Sequence, residues 1–164
     1  MNSFVIVNHL EDLDLESKYL VHKAKDALNH AYAPYSRFQV GAAVLLEDGS
    51  VITGTNQENA AYPSGMCAER VALFTTVSQH PDQPIVKLAV VARRKGTKEL
   101  IPATACGSCR QVMLEMETRQ GKPFEVIMQG QDHKWIKAIS AESLLPFGFT
   151  AVHLDHGEKK GNHL

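Results

Sequence analysis

Apolar residues recur at helical spacing early in the chain. Leu20, Ala24, Ala27, Leu28 and Ala31 share one face of a segment running from residue 15 to 33. This predicts a first helix, ended by Pro34, because the residue before a proline is pushed out of helical geometry. The pattern then changes. Residues 39–46 are largely apolar, Asp48-Gly49 follows, and Val51 opens a second run to residue 55. Two such runs around Asp-Gly predict a β-hairpin. Residues 67–77 return to helical spacing through Ala68, Val71, Ala72 and Phe74, and residues 85–92 form a Val- and Ala-rich run of buried-strand type. A helix over 109–118 carries Val112, Met113 and Met116 on one side. Strands over 124–128 and 135–139 follow, then a short helical turn over 141–145, capped by Ser140 and closed by Pro146. The order α-β-β-α-β-α-β predicts an α/β domain of three layers, α-β-α, around a mixed sheet of about five strands. Residues 1–14 read as an N-terminal extension, 15–154 as the domain, and 155–164 as a polar, loose tail.

Composition narrows the function classes. The chain has 164 residues, 44% of them hydrophobic and 21% charged, which suits one globular domain. Its net charge of -1 offers no basic face for a polynucleotide, and the run Arg93, Arg94, Lys95 and Lys98 reads as a solvated loop. No apolar run is long enough to span a bilayer. Phe4 to Val7 lacks the basic start and cleavage pattern of a signal peptide, so a cytoplasmic protein with no membrane partner is expected.

Three cysteines change the picture most. An odd number in a chain with no secretory pattern argues against a disulfide framework and for metal or catalysis. Cys67 and the Cys106-Gly107-Ser108-Cys109 pair both stand at the start of predicted helices. A closed structural zinc site takes four protein ligands, whereas three leave a position for water, the layout of a catalytic zinc. None of the eight histidines lies beside the cysteines to supply a fourth. Three thiolates around one dication leave excess negative charge. Helix N-termini relieve it, and Arg70 and Arg110, each close behind a cysteine, are expected to donate to the sulfurs. Glu69, two residues past Cys67, is placed to move protons without being a ligand. A redox Cys-x-x-Cys pair and three inert buried cysteines are the competing readings.

These stretches resemble a family. Cys67-Ala68-Glu69-Arg70 and Cys106-Gly107-Ser108-Cys109-Arg110-Gln111 resemble cytidine deaminase motifs, as do Ala33-Pro34-Tyr35-Ser36-Arg37-Phe38, Val40-Gly41-Ala42-Ala43 and Asn56-Gln57-Glu58-Asn59-Ala60. The Cys-x-Glu and Cys-x-x-Cys elements match the signature of zinc deaminases. The matching stretches run in family order from about residue 15 to 150. The three-cysteine set is similar to the small homotetrameric branch. The resemblance implies the cytidine deaminase-like fold, a Zn2+ cofactor, a homotetramer, and hydrolysis of free cytidine and deoxycytidine to uridine and deoxyuridine with release of ammonia, as in pyrimidine salvage. It implies that Cys67, Cys106 and Cys109 hold the metal, that Glu69 is catalytic, and that Asn56 and Glu58 bind the ribose 3′-hydroxyl. Phe38 is implied to stack beside base and sugar. The Ala68 N–H and the carbonyl of Thr104 or Ala105 are implied to face the pyrimidine edge. Phe149, with Phe147 as the alternative, is implied to reach a neighbouring subunit's pocket, and Tyr35 and Tyr62 to lie near the pocket and subunit contacts. Two departures stand out: Ala105 replaces the family's usual proline, and the segment 93–104 is longer than usual. A deaminase of another aminopyrimidine compound, such as an aminoacyl-nucleoside antibiotic, is the nearest alternative, and a non-enzymatic zinc-binding module the more distant one.

Overall fold

The computed structural model describes residues 3–154. Its elements are β1 (Phe4–Val7), α1 (Leu15–Ala27), β2 (Phe38–Leu46), β3 (Val51–Thr55), α2 (Ala68–Gln79), β4 (Ile85–Arg94), α3 (Gly107–Gln120), β5 (Glu125–Gln129) and β6 (Trp135–Ala138). They form one mixed sheet in the order β1-β6-β5-β4-β2-β3. Only β4 and β5 are parallel, and the other neighbours are antiparallel.

The strands read as near-continuous apolar runs because both faces of the sheet are covered. Ala43, Leu45, Ala89, Val91 and Ile127 face α1, packing with Leu20, Val21, Ala24 and Leu28. Their alternates, Ala42, Val44, Leu88, Val90, Val126 and Met128, pack with Ala72, Leu73, Cys109 and Met113 of α2 and α3. This period-two alternation between two apolar layers produces the three-layer α-β-α arrangement. Phe74, which spacing grouped with the apolar positions of α2, is exposed.

Three differences from the sequence pattern have physical causes. The sheet has six strands, because Phe4–Val7 pairs antiparallel along β6. Its Phe, Val and Ile residues suit a strand, and β6 would otherwise be a bare edge. Helix α1 stops at Ala27 and tightens into a 3-10 turn over Leu28–His30, short of residue 33. From Tyr32 the backbone pairs elsewhere: its N–H donates to the Asn56 carbonyl at 3.0 Å, and its carbonyl accepts from Glu58 N–H at 2.9 Å. Segment 93–104 folds back on the sheet rather than looping free. Ile101 N–H donates to the Ala92 carbonyl at 2.9 Å and Ala103 N–H to the Gln129 carbonyl at 2.8 Å.

Gly54 in β3 sets a spacing that matters for the site. A Cβ there would lie 2.5 Å from the Ala72 nitrogen and 2.6 Å from the Ala68 carbonyl oxygen. The first turns of α2 rest directly on the β3 backbone, which only glycine permits. On the opposite face, Lys87 of β4 is nearly buried and surrounded by carboxylates. Its Nζ lies 2.7 Å from Glu125, 2.9 Å from Asp14 and 3.3 Å from Glu16. Lys137 joins the same group, at 3.1 Å from Asp14. Asp14 also caps α1, accepting from Ser17 N–H at 3.0 Å.

Candidate metal centre and its cleft

Antiparallel pairing brings the start of β2 and the end of β4 together, Phe38 opposite Arg94, and the end of β3 alongside, Thr55 opposite Gly41. A cleft of about 860 Å³ opens at this end of the sheet, a volume suited to a small organic molecule. Its lining includes Phe38, Asn56 and Glu58 together with Cys67, Ala68, Glu69, Arg70, Thr104 and Cys106.

Cys67 is the N-cap of α2 and Cys106 the N-cap of α3. Two helices therefore aim unpaired N–H groups and positive dipole ends at one point. Cys109 follows one turn into α3. The Sγ atoms of Cys67 and Cys106 are 3.9 Å apart, and those of Cys106 and Cys109 are 3.6 Å apart. All three lie within 4.8 Å of one another and form the one such cluster among the described residues. Sulfurs held about 2.3 Å from a tetrahedral zinc lie about 3.8 Å apart, so the donor set fits zinc with one corner free.

The charges around the sulfurs follow from their neighbours. The Cys67 thiol is drawn down to about 5, first by the neighbouring Cys109 and then by Arg70, against the burial that would raise it. The Cys109 thiol is pushed up by that same contact and by burial. Arg70 Nη2 donates to Cys67 Sγ at 3.4 Å, and the sulfurs hold the guanidinium more firmly protonated. Arg110 behaves otherwise than expected. Its Nε donates to the Ala105 carbonyl at 2.8 Å and its Nη1 to the Leu144 carbonyl at 3.2 Å. It braces the backbone before Cys106 instead of touching sulfur. Leu144 is itself held by a buried anchor: the Glu117 carboxylate accepts from the N–H groups of Ala141 at 2.7 Å and Glu142 at 3.1 Å.

Glu69 is 5% exposed and lines the cleft beside the sulfurs without joining the cluster. Burial pushes its carboxyl above the usual range, and the Cys67 charge adds to the rise. A carboxyl with its affinity for a proton raised is suited to hold a proton and hand it on. At Ala105, the N–H that a proline would lack donates to Met128 Sδ at 3.4 Å. The Ala105 carbonyl accepts from Arg110, and Thr104 is the member of the pair that lines the cleft.

In the same cleft, Asn56, just past β3, ties the end of that strand to β2. Its Oδ1 accepts from Val40 N–H at 2.8 Å and its Nδ2 donates to the Phe38 carbonyl at 2.8 Å. One amide hydrogen and one lone pair remain for a ligand. The Glu58 carboxylate accepts from Tyr35 N–H at 2.9 Å, from Ser36 N–H at 3.2 Å and from the Ser36 hydroxyl. The Ser36 hydroxyl leads in holding that carboxyl below its usual range. The rings of Tyr35 and Tyr62 meet edge to face at 6.0 Å near the mouth. Phe149 does not line the cleft of its own chain. Its ring stacks on His153 at 5.1 Å and its carbonyl accepts from Gln111 Nε2 at 2.7 Å, while Phe147 is fully exposed.

Sequence reasoning assigned Ser36 no role. The signal was present: in Ser36-x-Phe38 a hydroxyl can reach the backbone N–H two residues on, and Phe38 N–H does donate to Ser36 Oγ at 3.0 Å.

Comparison with known proteins agrees with this geometry. The family model described as the cytidine and deoxycytidylate deaminase zinc-binding region matches residues 15–121. A cytidine deaminase of Halalkalibacterium halodurans is 44% identical over 137 residues, covering 84% of this chain and 96% of the relative. One from Sporosarcina psychrophila is 36% identical, covering 90% of this chain and all of the relative. Among solved structures, the cytidine deaminase of Burkholderia pseudomallei superposes with a TM-score of 0.66 at 40% identity, covering 84% of this chain and all of that one. That of Mycobacterium tuberculosis superposes at 0.64 with 32% identity, covering 84% and 99%. With three sulfurs at zinc spacing and a buried carboxyl in the same cleft, this chain belongs to the zinc-dependent cytidine and deoxycytidylate deaminase family.

Proposed function

We propose that this chain hydrolyses free cytidine and deoxycytidine to uridine and deoxyuridine, releasing ammonia, with Glu69 as the proton carrier and Cys67, Cys106 and Cys109 as the zinc ligands. The observation that carries the reading is a buried carboxyl, held above its usual range, in the cleft that also holds the sulfur cluster. Zinc, when bound, supplies a water acidified toward neutrality and an electrophilic centre beside it. Glu69 takes the proton from the attacking water and donates to N3 of the pyrimidine, which makes C4 more electrophilic. Oxygen adds at C4. Glu69, a carboxylate again, takes the second proton from the oxygen added at C4 and passes it to the amine; the C4–N4 bond breaks, ammonia leaves and the C4 carbonyl of the product forms. One group serves as acid and base in turn, which a carboxyl tuned upward by burial suits. The Ala68 N–H, at the first turn of α2, and the Thr104 carbonyl would face the pyrimidine edge. Phe38 would stack beside base and sugar, and Asn56 and Glu58 would take the ribose 3′-hydroxyl.

A homotetramer is part of the proposal. Tyr62, Phe147, Phe149, Val152 and Leu154 are exposed, and exposed apolar side chains of this kind suit contacts between subunits. Phe149, lying outside its own cleft, is free to close a neighbour's. Sedimentation of purified protein tests this, with a monomer as the contrary result. Action in the cytoplasm, in pyrimidine salvage, follows from a free-nucleoside substrate and three thiols that must stay reduced. Among the described residues no helix is long and apolar enough to cross a membrane.

The test is ammonia release by zinc-loaded protein from cytidine, deoxycytidine, free cytosine and an aminoacyl-nucleoside antibiotic. Turnover of the two nucleosides supports the reading, and turnover of the antibiotic alone replaces it. Glu69→Ala should keep zinc and lose at least about a thousandfold in kcat. Turnover of that variant within tenfold of the parent would sink the assignment.

A further inference from the structure

We propose that Ser36 is a positioning residue for sugar recognition, whose hydroxyl fixes the Glu58 carboxylate against Phe38 and thereby sets the preference for a substrate that bears a ribose 3′-hydroxyl. This rests on the reading of Glu58 given above and adds to it a residue of the cleft wall whose hydroxyl is spent on the carboxylate and on backbone.

A hydroxyl has one hydrogen to donate and lone pairs to accept. Ser36 spends its hydrogen on Glu58 Oε1 and accepts from Phe38 N–H at 3.0 Å. One side chain thus links the carboxylate at the end of the β3 segment to the first residue of β2. The other carboxylate oxygen is held by two consecutive backbone N–H groups, from Tyr35 and Ser36. With both oxygens engaged, the carboxylate plane is fixed and its remaining lone pairs have set directions.

The backbone around Ser36 is held in a conformation that it would not adopt unaided. Arg37 has φ 58, in the left-handed region, a strained setting for a residue with a long side chain. Its N–H donates to the Ala33 carbonyl at 3.1 Å, and its carbonyl accepts from Lys95 N–H at 2.8 Å. This turn is what aims both the Ser36 hydroxyl and the Phe38 ring. The segment 93–104 therefore has a part in the site: its first residues pin the turn from outside. Ser36 is exposed and packs in no core, so removing its hydroxyl leaves the fold without a cavity.

The experiment compares cytidine with 2′,3′-dideoxycytidine on the zinc-loaded parent, Ser36→Ala, Ser36→Thr and Glu58→Gln. For Ser36→Ala, kcat/KM on cytidine should fall about 30-fold, the order expected on losing a hydrogen bond to a charged group. The loss should appear in KM with kcat within about threefold, and the dideoxynucleoside should change by less than about threefold. Ser36→Thr, which keeps the hydroxyl, should recover most of the loss. An equal fall on both substrates, a fall confined to kcat, or no fall at all overturns the role of Ser36. If the parent itself treats the two nucleosides alike and Glu58→Gln does not change their ratio, the sugar-hydroxyl reading of Glu58 fails, and this proposal with it. A parent that deaminates neither nucleoside overturns the deaminase reading before Ser36 is reached.

Discussion

The two faces of the sheet both hold ionisable side chains, and they handle charge in opposite ways. On the α1 face, Lys87 and Lys137 meet Asp14, Glu16 and Glu125, so the chain supplies its own counter-charges. On the α2 and α3 face, three sulfurs and Glu69 meet one guanidinium, that of Arg70. The nearby Arg110 is committed to backbone carbonyls. The first cluster is satisfied by the fold, and the second leaves a deficit of positive charge matched to a divalent cation. Buried charge marks function where the chain leaves it unbalanced.

Breaking the unbalanced cluster should have the largest effect. Cys67→Ala is expected to lose zinc and at least about a thousandfold in activity, read by metal analysis and ammonia release. Next, the two arginines should separate. Arg70→Ala should weaken zinc affinity about 10- to 100-fold in competition with a chelator. Arg110→Ala should change that affinity less than about threefold, because its bonds go to backbone. Equal losses would erase the contrast between them. Breaking the balanced cluster should affect stability and leave chemistry alone. Lys87→Met removes a nearly buried amine from three carboxylates and should cost about 2–3 kcal/mol, less than a fully buried pair because its partners remain partly solvated. Its zinc content and its kcat per folded molecule should match the parent.

The smallest effect is one of pH. Lys87 and Ser17 hold the Asp14 carboxyl well below its ordinary 3.8, against the burial that would raise it. A carboxyl depressed in the folded state contributes stability that is complete above the unfolded value and lost as pH falls through the folded one. Thermal unfolding should therefore be nearly flat from about pH 7 to 5 and fall below about pH 4. In Lys87→Met the fall should be shallower, and an unchanged acid limb would remove Asp14 from the account.

What was legible in the sequence was what short spacing encodes. Cys67 and Glu69 are two apart and Cys106 and Cys109 three apart, so one helical turn places each pair, and the apolar runs mark α2, α3 and the strand β4 between them. Longer-range pairings were not legible. Lys87 is the one polar residue in the otherwise apolar run 85–92, and nothing near it foretells partners at residues 14 and 125. Arg110 has the spacing of a sulfur donor, yet two carbonyls claim it, one of them 34 positions away. The end of α1 depended on Asn56 and Glu58 competing for the backbone of Tyr32. Residues 4–7 carry no sufficient strand signal of their own, because a strand of four needs a partner edge, and β6 lies more than 120 residues downstream. The expected tail over 155–164 lies outside the described residues.

That added strand has a practical consequence. It occupies the edge of the sheet opposite β3, five interstrand spacings or about 24 Å across, whereas the cleft draws on β2, β3 and the end of β4. A tag, a surface linker or a fused protein joined ahead of Phe4 would therefore leave the mouth of the cleft clear, which makes the N-terminal side the natural point of attachment for immobilising this enzyme.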